Sequence, residues 1–96
     1  MADVVVTRDL ENHRFEAEVD GRAAGFMDYQ ERGETVNIPH TEVFTDFEGQ
    51  GVGSALVRHA LDALRAEGKT VIPSCPFVRT WIEKHPDYQD LVAEGR

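Results

Sequence analysis

The sequence holds one cysteine, one tryptophan, four prolines and only ten basic residues against eighteen acidic ones. The lone cysteine, Cys75, excludes an internal disulfide framework and any zinc site built from several cysteines of one chain. It fits a reducing compartment. The shortage of bases leaves a formal charge of −8. Binding to nucleic acid rests on basic groups that release counterions from phosphates, so nucleic acid and anionic membranes are poor partners. No apolar run approaches the roughly 18 residues of a membrane span, and the opening MADVVVTRDLENHR shows no basic start followed by an apolar stretch. A soluble, cytoplasmic protein is expected.

What is present is enough for one core. Leu, Ile, Val and Phe make up a quarter of the 96 residues, above the level at which a highly charged chain stays disordered. The length predicts a single domain over residues 1–96. Residues 15–19 alternate apolar and polar, Asp20-Gly21 supplies a tight hairpin turn, and residues 23–29 alternate again. A turn centred on Gly33 leads into a third run over residues 35–44, with Val36 and Ile38 on one face. Val4 to Val6 are read as an edge strand ahead of a turn at residues 9–13. Pro39, which has no N–H for a ladder, predicts a bend near His40.

Beyond residue 44 the period changes. Ala55, Leu56, Val57, Ala60, Leu61 and Leu64 recur at helical spacing, with Arg58, His59, Asp62 and Arg65 opposite, and Gly68 stands where a left-handed residue closes a helix. Residues 70–74 read as a short buried strand. Pro76 opens a second helix carrying Phe77, Val78, Trp81 and Ile82 on one stripe, and Pro86 stops it after His85. The order is meander, helix, strand, helix, an α+β arrangement in two layers.

The segment Glu48-Gly49-Gln50-Gly51-Val52-Gly53-Ser54 lies between a strand end and a helix start. Glycines there let successive N–H groups turn toward one point beside the positive end of the helix, which is a phosphate cradle. Gly53 is followed by Ser54-Ala55 and not by lysine and a hydroxyl residue, so Walker-type hydrolysis is excluded. The Gly-x-Gly-x-x-Gly spacing of a dinucleotide fold is absent too. The plain alternative is a turn that lets the helix start close to the sheet.

The run TEVFTDFEGQGVGSALVRHALDAL over residues 41–64, followed by VIPSCPFVRTWIEKHPDY, resembles the small single-domain branch of the GNAT superfamily of acetyl-CoA-dependent N-acetyltransferases. The resemblance covers roughly residues 15–91. It is carried by the Gly-Gln-Gly-Val-Gly loop and, more specifically, by the Cys75-Pro76-Phe77-Val78 and His85-Pro86-Asp87-Tyr88 segments. It implies a compact GNAT-like fold in which two strands, at residues 35–44 and 70–74, diverge at the coenzyme A site. It implies that the acetyl-CoA diphosphate lies on Glu48, Gly49, Gln50, Gly51, Val52, Gly53 and Ser54, and that Val43 and Phe44 offer backbone groups to the pantetheine arm. Glu48 departs from the arginine or glutamine usual at its position, which leaves the diphosphate to the backbone donors of Gln50 to Ser54.

Cys75 directly precedes the proline-initiated helix, where the helix dipole favours thiolate. It is read either as a small buried hydrophobe or as functional, accepting the acetyl group or protonating the departing coenzyme A thiolate. His40 and Glu42, two apart on the strand entering the loop, share one face, and either is a candidate general base for an acceptor ammonium. Tyr88 is a further candidate proton donor or a packing residue, and His85 closes its helix. Arg58, Arg79 and Lys84 are left outside the site. His13 and His59 show no ligand spacing, and no metal is expected.

The leading function is therefore acetyl transfer from acetyl-CoA to an amine, a small amine or a basic peptide or protein, with the acidic surface favouring a cationic acceptor. The alternatives are a CoA or acyl-CoA binding module without efficient transfer, and an interaction domain whose glycine turn binds nothing.

Overall fold

The computed structural model describes residues 3–93. Strands β1 (Val4–Asp9), β2 (Arg14–Val19), β3 (Arg22–Arg32) and β4 (Thr35–Val43) form an antiparallel meander. A 3₁₀ turn (Thr45–Phe47), helix α1 (Val52–Ala66), strand β5 (Thr70–Ile72), helix α2 (Pro76–Glu83) and a 3₁₀ helix (Pro86–Leu91) follow. The sheet runs β1-β2-β3-β4-β5, with β5 parallel to β4 across the α1 crossover. Asp20 and Gly21 both take positive φ, the backbone a two-residue hairpin needs to follow the twist of β2 and β3.

Helix α1 lays Leu56, Val57, Ala60, Leu61 and Leu64 against the sheet, all without exposed surface. At about 1.5–3 kcal/mol for each large side chain withdrawn from water, this stripe supplies a major share of the driving force. The helix closes as expected: the Gly68 N–H bonds to the Arg65 carbonyl and the Lys69 N–H to that of Leu64, a Schellman end with Gly68 left-handed. Helix α2 joins the same layer through Val78, Trp81 and Ile82, and Trp81 Nε1 donates to Ser54 Oγ at 2.9 Å. Phe77 departs from the expected stripe. It is 46% exposed and its ring lies over Gly53 of α1, because the helix turns it toward α1 and away from the sheet.

The register of β3 against β4 positions everything that follows. Asp28 pairs with His40 but Gln30 with Asn37, so Ile38 and Pro39 together face Tyr29. This is a one-residue bulge at the proline, where the sequence predicts a bend. An extra residue inverts which side chains face which layer. Val36 and Ile38 point into the core, but past the bulge it is Thr41 and Val43 that face the helices, while His40 and Glu42 turn to the sheet face with no helix on it.

The last segment adds an edge. The Ala93 N–H bonds to the Val71 carbonyl, Val92 bridges to Val71, and the 3₁₀ helix is tied to α1 by Arg65 to Asp90 and by Tyr88 to Asp62. No helix among the described residues is long and apolar enough to cross a membrane.

Candidate active site

Two prolines open the sheet. Strands β4 and β5 pair only from Thr35 with Thr70 to Asn37 with Ile72. Pro73 then has no N–H to give, and the Ser74 N–H folds back onto the Ile72 carbonyl. The link after that is the Cys75 N–H to the Ile38 carbonyl at 2.8 Å, and next on β4 comes Pro39, again without an N–H. The strands part there. Cys75 stands at the apex as the residue before α2, with its side chain 5% exposed in the core.

One edge of the gap is the second half of β4. Phe44 and Ala24 form a hydrogen-bonded pair, the Phe44 N–H reaching the Ala24 carbonyl at 2.9 Å, so by antiparallel alternation the main-chain groups of Val43 and Thr41 point away from β3 into the gap. Gly25, opposite Val43, permits this close pairing: a Cβ there would lie 2.5 Å from the Glu42 carbonyl oxygen. Phe44 does not share the role expected of it. Its N–H is given to Ala24 and its carbonyl accepts the Phe47 N–H at 2.8 Å, because the chain turns into the 3₁₀ segment at that residue.

Beyond the gap lies the glycine loop. Gly49 and Gly51 take φ of 82° and 81°, and Gly51 is the left-handed residue from which α1 starts. The N–H groups of Gly51, Val52, Gly53 and Ser54 bond to no group of the described residues, the unfilled donors of a helix start. Gln50, expected among the loop donors, is not one of them: its N–H reaches back to the Phe47 carbonyl at 3.4 Å and its side chain to the Asp46 carbonyl, so the run of free donors begins one residue later. A hollow of about 330 Å³ opens over these groups, walled by Val43, Phe47, Phe77 and the loop from Glu48 onward. Gly53 lets these walls close in on the loop, since a Cβ there would meet Phe77 Cζ at 2.7 Å and Val43 Cγ2 at 3.4 Å.

His40 Nε2 and Glu42 Oε1 are 3.3 Å apart on the open face, both half exposed, with the Phe26 ring 5.8 Å from the imidazole. The bulge precedes both residues, so they keep a common face. It also puts them on the opposite side of β4 from the Cys75 side chain. The structure unites His40 with Glu42, and Val43 with the loop, but it does not bring Cys75 together with His40.

Tyr88 lies elsewhere. Its hydroxyl donates to Asp62 at 2.8 Å and accepts from Arg58 at 3.2 Å behind α1. The hydrogen bond to Asp62, aided by burial, raises its pKa above the ordinary tyrosine value. Arg58 is spent on Tyr88 and on the Trp81 ring, 5.3 Å away, and Arg79 donates to the Ser74 carbonyl. His85 Nδ1–H donates to the Trp81 carbonyl at 2.7 Å and the imidazole stacks on the indole. No cluster of three His, Cys, Asp or Glu side chains suited to a metal occurs among the described residues. Sequence reading overlooked Thr41. Its hydroxyl is buried without a hydrogen-bond partner among the described residues, and its one signal was its place two residues before Val43 beyond a strand proline.

A mixed sheet whose parallel strands part over a glycine-turned helix start defines a small domain of the GNAT superfamily. A family model described as GCN5-related N-acetyl-transferase matches residues 14–91, and the chain belongs to that family. It is similar to a GCN5-like N-acetyltransferase candidate from Staphylococcus aureus, with 26% identity, a TM-score of 0.74 and coverage of 97% of this chain and 91% of that one. The ribosomal-protein-S18-alanine N-acetyltransferase from Escherichia coli shares the fold at 16% identity and a TM-score of 0.66, over 88% of this chain and 76% of that one. The N-acetylglutamate synthase from Neisseria gonorrhoeae, solved with coenzyme A and N-acetyl-glutamate, matches 71% of this chain and 18% of its own at 23% identity and a TM-score of 0.55. No curated protein matches the chain.

Proposed function

We propose that this protein transfers the acetyl group of acetyl-CoA to an amine. The observation that carries the reading is the gap between β4 and β5, with the main chain of Thr41 and Val43 along one edge and the four unbonded N–H groups of Gly51 to Ser54 at its outer end. The loop donors fit a diphosphate, which gains from convergent N–H groups and the positive helix end. The exposed edge of β4 fits the amides of a pantetheine arm. A coenzyme A complex of a fold neighbour supports the same choice of ligand.

In this reading the thioester lies near the apex, at Cys75. The amine nitrogen bonds to the acetyl carbon, the carbon–sulfur bond breaks, and the ammonium proton passes to a base on the acceptor side. His40, hydrogen-bonded to Glu42 on the open face, is that base, and the acceptor approaches from that face. Cys75 returns a proton to the departing thiolate. Base and thiol on opposite sides of β4 favour direct transfer over a relay through acetyl-Cys75. Beside the Arg14–Asp28 ion pair, the open face also carries Glu16 and Glu18, which with the net charge of −8 favours a cationic acceptor, a small amine or a basic peptide. The cytoplasm, with its reduced thiols, suits the single cysteine.

Calorimetry with acetyl-CoA tests the reading. Saturable binding by the wild type and its loss in Gly51→Asp, which puts a carboxylate in the cradle, are expected; unchanged affinity in a folded Gly51→Asp variant would remove the loop from the site. Glu48 beside the hollow keeps a second reading in view, a CoA-binding module without efficient transfer. Binding without turnover across a panel of amines would select it.

A further inference from the structure

We infer that the Thr41 hydroxyl donates a hydrogen bond to a carbonyl oxygen of the acyl-pantetheine chain, an inference that rests on the acetyl-CoA reading above. Among the described residues, Thr41 Oγ1 is the buried side-chain oxygen or nitrogen with no hydrogen-bond partner. Folded proteins leave few such groups, because a hydroxyl withdrawn from water without a partner costs free energy. A valine has the same shape and would avoid that cost, so the hydroxyl weakens the free protein unless something else bonds to it.

Its position indicates what that is. The bulge at Ile38 and Pro39 turns Thr41 to the helix-bearing face, level with Met27 across the ladder and on the same face as Val43. Val43 reaches the hollow at Gly53, and the main-chain groups of both residues face the gap. Without the extra residue, His40 would occupy this face and Thr41 the open one. The bulge therefore assigns the two kinds of chemistry on β4 to its two faces, a lone donor on the helix-bearing face beside Val43 and the His40–Glu42 pair on the open one. A hydroxyl has one hydrogen to donate and reorients freely, and since the diphosphate in this reading lies on the loop N–H groups, a carbonyl oxygen of the arm is left as the acceptor.

The pantetheine arm has two amide carbonyls and the acyl thioester a third, and the experiment separates these sources. Wild type, Thr41→Val and Thr41→Ser are titrated with acetyl-CoA and with coenzyme A, and the melting temperature of each free protein is recorded. Thr41→Val is expected to melt no lower than the wild type and to bind about 5- to 10-fold more weakly, the ratio one net hydrogen bond provides. Thr41→Ser, which keeps the hydroxyl, should restore the affinity. Equal weakening toward both ligands identifies a pantetheine amide, and weakening toward acetyl-CoA alone identifies the thioester carbonyl; either upholds the inference. Unchanged affinity in Thr41→Val for both ligands overturns it, as does a lower melting temperature of that variant, which would show the hydroxyl already satisfied in the free protein. A wild type that binds neither ligand overturns the acetyl-CoA reading itself, a result distinct from a binding wild type with an indifferent Thr41.

Discussion

Glu48 carries the sharpest test at the scale of single residues. It is exposed on the wall of the loop hollow, where a diphosphate would meet its negative charge. Exchanging Glu48 for arginine should strengthen coenzyme A binding several-fold, with the gain shrinking as salt rises, because exposed charges a few ångströms apart are screened over about 8 Å at physiological ionic strength. The stability of the free protein should hardly change, since nothing in the fold leans on this side chain. A weaker or salt-independent response, read by calorimetry at two ionic strengths, would place the diphosphate elsewhere. Residue identity alone announced Glu48, the glycines and Cys75. It did not announce Thr41, whose significance is a missing partner, and a missing partner is visible only when every neighbour is in place.

The elements differ in how legible they were. Strands β2 and β3, the turn between them and the whole of α1 follow from alternation, from Asp20-Gly21 and from the Gly68 cap, all local properties. The position of Pro39 foretold a bend in β4. That the bend adds one residue, and so moves His40 and Glu42 to the opposite face from Val36 and Ile38, required the partner strand. Phe77 shows the same limit. Its spacing matched the buried stripe of α2, but the neighbouring helix put it over Gly53. The 3₁₀ helix Pro86–Leu91 has no periodic signal and is held by side chains from α1. Its Asp90 accepts from Arg65 at 3.0 and 3.1 Å, and this bond, the largest influence on it, holds the carboxyl below the usual aspartate range. A group with a depressed folded pKa stabilises above its unfolded value and loses that contribution as pH falls through the folded one. Asp90→Asn should thus lower the melting temperature slightly at neutral pH. The difference from wild type should shrink as the pH drops below about 4, the unfolded aspartate value, in thermal melts across pH. A difference that persists unchanged in acid would assign it to packing and not to the ion pair.

At the scale of the molecule, one hydrophobic cluster runs from Phe15 and Val19 on β2 through α1 to Val78, Trp81 and Leu91. Arg8 adds a strap, donating to the Tyr29 hydroxyl and pairing with Glu67 beyond the end of α1. With a single core, unfolding should be one cooperative transition. The only tryptophan, Trp81, faces α1 from α2 and reports on their contact through its fluorescence. Its midpoint should coincide with that of the far-ultraviolet circular dichroism, which reports on the sheet as well. A lower fluorescence midpoint would show α2 detaching first, and with it the Phe77 wall of the loop hollow.

The amino-acid sequence by itself determined the strand and helix order, the glycine-turned start of α1, the absence of a disulfide framework and the proline that bends β4. Each of these is a short-range matter of backbone freedom, missing atoms or the period of apolar residues. Tertiary structure decided which face of β4 each side chain occupies, where the parallel strands part and, among the described residues, which loop N–H groups are left unbonded and that Thr41 lacks a partner. Those depend on register between segments far apart in the chain, and a shift of one residue reverses them.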